Sequence, residues 1–197
     1  MSFISVIIGD DFISIVADSR ETECLNSGER RVVYEFAEKI TKVSDYSFFA
    51  MVGECSAGFD FIDVSHLKNM AYNRNGKIVS SHEMMLWHEV TRKSLRGKFN
   101  LIIGGVDIFN RIVCYILNST NTELSEIIAD DGKAQSIIFP STSVDKDLPM
   151  EMLNSLLDIR KNETIESYVA IQYALNDYVA EIDCSVNKNI TSFVIRK

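Results

Sequence analysis

Phe3-Ile4-Ser5-Val6-Ile7-Ile8 and Phe12-Ile13-Ser14-Ile15-Val16-Ala17 flank Gly9-Asp10-Asp11, and the second run passes directly into Asp18-Ser19-Arg20. Both runs are dense in β-branched residues, and the short polar stretch between them suits a tight turn, so the chain opens with a β-hairpin. The same stretch argues against a secretory signal, because Asp10 and Asp11 split the apolar segment and no basic residue precedes it. Nowhere do enough apolar residues follow one another to span a bilayer. Export by that route and a membrane-spanning helix are therefore not expected.

Working outward, short strands are expected at Val32–Phe36, Lys39–Val43 and Ser47–Val52, with Ser44-Asp45 as a turn. From Glu54 the period changes: Ala57, Phe61, Val64, Leu67 and Ala71 are spaced as one face of a helix, which Asn75-Gly76 would end. Ser80 and Glu83 have capping-box spacing and open a second helix running to about Arg96. Strands follow at Asn100–Val106, Arg111–Leu117, Leu124–Ala129 and Ser136–Phe139. Asp147-Leu148-Pro149 is a helix start with proline in the first turn, and a fourth helix continues through Ile165, Tyr168, Gln172, Leu175, Val179 and Ile182 after a cap at Asn162. A last strand spans Ile190–Ile195. This order fits several α+β folds, among them two stacked antiparallel sheets enclosed by two helical layers, in which each sheet buries both faces.

The 197 residues are 46% apolar and 24% charged, the composition of a globular chain that needs no disulfide or metal to build a core. With two prolines, nine glycines, no linker-like stretch and no repeat, residues 1–197 read as a single domain. The formal charge of −8 opposes general nucleic-acid binding, which requires clustered Lys and Arg. Cys24, Cys55, Cys114 and Cys184 form no C-x-x-C pair, so a reducing cytoplasm is the natural compartment, and Cys55, Cys114 and Cys184 read as core residues. His82 and His88 lie six apart, off a shared helix face, and Trp87 between them points to packing rather than a metal pair. His66 stands alone, and Gly104-Gly105 lacks the G-K-[ST] of a phosphate loop. No cofactor is expected.

Ala17-Asp18-Ser19-Arg20 resembles the element that follows the first hairpin of proteasome β-subunits, members of the N-terminal nucleophile (Ntn) hydrolases. In that family the nucleophile begins the mature chain and the aspartate lies sixteen residues later; sixteen before Asp18 stands Ser2, which becomes the N-terminus once Met1 is removed. The family lysine precedes a glycine pair by fourteen residues across an apolar strand, and Lys39 precedes Gly53 by fourteen across Tyr46–Val52. Ile102-Ile103-Gly104-Gly105-Val106-Asp107 is similar to the family's central strand end, and Cys184 to Ile190, with Asn187-Lys188-Asn189-Ile190, resembles the approach to the C-terminal strand in the HslV-type peptidase. The joint spacing over the whole length, rather than any one piece, carries the resemblance.

The resemblance implies a four-layer αββα sandwich of the α+β class and hydrolysis of peptide or small amide bonds through an acyl-enzyme on Ser2. The hydroxyl attacks while the free α-amine takes the proton. Lys39 would disfavour protonation of that amine, whose ordinary pKa is about 8. Asp18 would hold Lys39, with Arg20 bracing the carboxylate from its other side. The N–H of Gly53 would stabilise the oxyanion. Ser141, in Pro140-Ser141-Thr142 where the family has Gly-Ser-Gly, takes the place of the relay serine, and Asp183 that of the later acidic residue. A homo-oligomer that forms a ring, and an ATP-dependent unfoldase partner, are further implications. The chain departs from the pattern in using Ser rather than Thr, in Glu54 where a second glycine is usual, and in five extra residues between Asp18 and Lys39, expected to extend a loop over Glu21–Arg30. A register shifted by one also aligns Ile4-Ser5-Val6 with the first strand and puts Met1 at the nucleophile position. The chain is then an inactive structural or assembly subunit, and both readings stand at this level.

Overall fold

The computed structural model describes residues 3–25, 27, 29–54, 70–94, 98–120, 124–129, 132–140, 147–159 and 164–197. Eleven strands and three helices are assigned among them: β1 Ile4–Ile8, β2 Phe12–Asp18, β3 Glu21–Cys24, β4 Arg30–Tyr34, β5 Ile40–Lys42, β6 Ser47–Glu54, α1 Ser81–Ser94, β7 Lys98–Val106, β8 Ile112–Asn118, β9 Leu124–Ile127, β10 Gln135–Phe139, α2 Asp147–Ile159, α3 Ile165–Ile182 and β11 Ile190–Arg196. Helices and several sheets make the chain mixed α/β. The chain divides into two compact units: residues 1–7, 14–39 and 136–193 in the first, and residues 8–13, 40–135 and 194–197 in the second.

In the first unit the opening hairpin supplies the two central strands of a sheet ordered β10-β1-β2-β11. Every residue of β1 and β2 is buried, which explains why both read as unbroken apolar runs instead of alternating ones. Ile171, Leu175 and Val179, spaced as one stripe of α3, form a core with Leu153, Phe3 and Val186. Gln172 on the same stripe is fully buried: its amide donates to the carbonyl of Ser5 at 2.9 Å and accepts from the Ser14 hydroxyl at 2.7 Å, so a polar side chain among apolar ones keeps its hydrogen bonds. The cap of α3 is Thr164, whose side chain accepts the Ser167 N–H at 3.2 Å, two residues beyond the expected cap at Asn162. A β-region hydroxyl one residue before the first helical turn satisfies an N–H that would otherwise lack a partner.

The expected loop over Glu21–Arg30 is corrected by the structure. Its first residues form β3, paired antiparallel with β4 in the register Thr22↔Val32 and Cys24↔Arg30. Val32, Val33 and Tyr34 are all about half exposed, so this two-stranded ribbon turns both faces to solvent.

In the second unit, β5-β6-β7-β8-β9 form an antiparallel sheet, with Phe49↔Ile103 and Ile103↔Tyr115 in register. One side carries a core of Phe49, Leu101, Ile103, Tyr115, Met84 and Trp87. α1 begins at the expected capping box: the Ser80 N–H donates to the Glu83 carboxylate at 3.0 Å, and the Glu83 N–H to the Ser80 hydroxyl at 3.4 Å. His82 is exposed and His88 buried beside Trp87, on different faces of α1. Gly105 has φ +148°, and a Cβ there would collide with the backbone of Tyr46 and Ser47, where β6 begins, so glycine is required for strand approach. The helix expected from Ala57 falls on residues 55–69, outside the described residues, save for its end at Met70–Ala71.

Candidate active site

The candidate site is built on the C-terminal end of β2. Asp18, the last residue of that strand, is fully buried, yet its carboxylate has three partners. Oδ1 accepts the ammonium of Lys39 at 2.7 Å and the backbone N–H of Phe3 at 2.8 Å, and Oδ2 accepts the backbone N–H of Arg20 at 2.9 Å. Phe3 is also tied to Asp18 through the main chain, where the Asp18 N–H donates to the Phe3 carbonyl at 3.2 Å. The strand pairing of β1 with β2 thus sets the start of the chain against the carboxylate.

Lys39 lies just before β5, with its side chain only 7% exposed. Burial pushes its pKa below the ordinary lysine value, opposed by the Asp18 carboxylate and more weakly by Glu21. The pair is therefore a cation held in a dry setting by one short charge-assisted hydrogen bond. Such a cation can disfavour the protonated form of a neighbouring amine, and a buried carboxylate held by three donors on its two oxygens is fixed in place.

Arg20 does not brace Asp18 with its guanidinium. The guanidinium turns instead to the Glu35 carboxylate at 3.1 Å and to the carbonyls of Cys184 and Val186 at 2.5 and 3.2 Å; only the Arg20 backbone N–H reaches Asp18. A planar fork of donors suits that trio of acceptors. Asp183 caps α3 and is buried; it accepts the Ser185 N–H at 2.8 Å and lies 3.9 Å from the Arg30 guanidinium. Cys184 is exposed rather than in the core, whereas Cys114 is buried and its thiol is pushed up to about 12 by burial. Gly53 lies on β6 in the second unit, paired with Phe99. Its φ of +131°, and the β7 backbone where a Cβ would stand, require glycine on structural grounds alone. Ser2 and Ser141 lie outside the described residues.

Glu35, which the sequence did not single out, joins the group together with Asn187 of the C-terminal motif. Glu35 accepts from Arg20 and, at 2.8 Å, from the Asn187 side chain, while its carbonyl accepts the Ser19 hydroxyl at 2.6 Å. The amide of Asn187 and the guanidinium of Arg20 together hold the Glu35 carboxyl below the usual carboxylate range. The available signal was a carboxylate between Tyr34 and Phe36, a polar residue inside an expected apolar strand.

The chain is similar over 99% of its length, and over 99% of the other chain, to the crystal structure of eukaryotic HslV from Trypanosoma brucei, with a TM-score of 0.64 and 12% identity. At that identity the likeness shows a shared fold. No protein-family model matches the chain, and no curated protein matches it in sequence. Among the described residues, no helix is long and apolar enough to cross a membrane.

Proposed function

We propose that the chain is a proteasome-like Ntn hydrolase that cleaves peptide or small amide bonds through an acyl-enzyme on Ser2 after removal of Met1. The observation that carries this reading is the double engagement of one buried oxygen. Asp18 Oδ1 accepts both the Lys39 ammonium and the N–H of Phe3, the residue that follows Ser2 in the chain. An aspartate and a lysine drawn to the start of the polypeptide are what an N-terminal nucleophile needs, because base and nucleophile then reside on one residue.

In this reading Ser2 Oγ attacks the substrate carbonyl and the α-amine accepts its proton. Lys39 raises the neutral fraction of that amine, and Asp18 fixes Lys39. The resemblance supplies the remaining roles: the Gly53 N–H as oxyanion donor, Ser141 as proton relay and Asp183 in support. It also supplies the αββα layering, assembly into a homo-oligomeric ring and an ATP-dependent unfoldase as partner, while the cytoplasmic setting rests on the scattered cysteines. The likeness to HslV in fold supports this group of expectations.

Intact mass tests the premise, since the reading requires loss of Met1. Exposure to an acylating β-lactone is then expected to give one adduct on Ser2, absent in Ser2→Ala. A chain that keeps Met1, or labels equally with and without Ser2, is instead an inactive subunit of the same fold.

A further inference from the structure

We propose that Glu35 is a positioning residue that clamps the segment carrying Lys39 and so keeps the Lys39 ammonium on Asp18. The proposal rests on the hydrolase reading above for its kinetic consequence but not for its structural one.

The segment from Phe36 to Lys39 has no strand or helix of its own, and it descends from β4, whose side chains are largely exposed. A two-stranded ribbon without a third strand is only marginally stable by itself, so movement in it would pass along four residues to Lys39 unless something intervened. The contacts that intervene converge on Glu35. Its carboxylate accepts from Arg20 Nε at 3.1 Å and Asn187 Nδ2 at 2.8 Å; its carbonyl accepts from Ser19 Oγ at 2.6 Å and Asn187 Nδ2 at 2.9 Å. Two residues on, the Ala37 N–H donates to the Ser19 carbonyl at 2.7 Å.

The anchors are themselves fixed. Asn187 is 5% exposed; its Oδ1 accepts the Ser19 N–H at 3.1 Å, and its carbonyl accepts from the buried Asn176 amide at 2.9 Å. Arg20 is held by the carbonyls of Cys184 and Val186. Ser19 and Arg20 directly follow Asp18, so the clamp joins the strand that presents the carboxylate to the segment that presents the cation. Glu35 falls within the stretch between Asp18 and Lys39 that is five residues longer than the family pattern. The clamp thus holds the connection between Asp18 and Lys39 in register.

The test compares wild type, Glu35→Ala and Glu35→Gln. The glutamine keeps an oxygen acceptor for Asn187 without the charge, so it separates the clamp from the electrostatics of Arg20. With a β-lactone as probe, Glu35→Ala is expected to lower the maximal acylation rate roughly ten- to a hundredfold while the half-saturating concentration stays within about twofold, and Glu35→Gln to recover most of the rate. Equal rates in all three proteins overturn the proposal, as does an equal loss in both variants. A second readout needs no activity: a short pulse of acetic anhydride followed by peptide mass mapping. Lys39 is expected to label slowly in wild type and Glu35→Gln, and several-fold faster in Glu35→Ala; the same labelling in all three overturns the clamp. A wild type that forms no lactone adduct defeats the hydrolase reading, and the clamp then stands or falls on Lys39 labelling.

Discussion

Asp18 and Asp107 are both completely buried carboxylates at the ends of strands, one in each unit, and they are satisfied in opposite ways. Asp107 is closed by its own neighbours. Oδ1 accepts the N–H groups of Phe109 and Arg111 at 2.9 and 2.8 Å, and Oδ2 accepts the Arg111 guanidinium at 2.8 and 2.7 Å. All these partners lie within four residues, the turn passes through Asn110 at φ +65°, and the Arg111 side chain is 42% exposed. Asp18 has one local partner and two remote ones, Phe3 fifteen residues before it and Lys39 twenty-one after, and its cation is 7% exposed. A carboxylate closed locally, with its cation in water, builds a turn. One closed from a distance by a dry cation costs more to assemble, and it fixes where charge sits relative to the chain start.

The comparison is broken most directly by removing the two cations in turn. Lys39→Met leaves the Asp18 charge buried beside backbone donors alone, and is expected to cost about 3–5 kcal/mol in urea unfolding. Asp107→Ala frees the donors of one turn and is expected to cost about 2 kcal/mol. Arg111→Met, where water replaces a half-exposed guanidinium, should cost about 1 kcal/mol. If Lys39→Met proves as mild as Arg111→Met, the contrast between the two sites fails.

A smaller effect sharpens the contrast through pH. Burial lowers the Lys39 pKa in the folded state below the ordinary 10.5, so the unfolded chain binds more protons between the two values. Stability carried by this group therefore rises as pH rises through that window. The urea midpoint of wild type minus that of Lys39→Met should grow over that interval. The corresponding difference for Arg111→Met should stay flat, because a guanidinium does not deprotonate there.

Much of the fold was legible because it is written in local patterns. The buried hairpin announced itself by two apolar runs around Gly9-Asp10-Asp11, α1 by its Ser80/Glu83 box, and α2 by Asp147 with Pro149 behind it. The misreadings share a cause. Glu21–Arg30 was expected as a loop because the resemblance leaves five extra residues there, and only pairing with β4 makes the first part a strand. Arg20 was assigned to Asp18 as part of what the resemblance implies, whereas its guanidinium answers to carbonyls more than 160 residues away. Cys184 was placed in the core by its apolar neighbours, yet it follows the end of α3 on the surface.

Residue order alone determined which segments could be strands or helices, because periodicity is a property of the linear chain, and the match of Asp18 and Lys39 to the Ntn pattern, not their spacing by itself, implied a joint task. Folding decided that the two meet at 2.7 Å beside Phe3, and that Glu35, Asn187 and Arg20 lock the connection between them. Those choices depend on which surfaces close on one another and exclude water, and partners separated by up to 168 positions leave no trace in any local pattern.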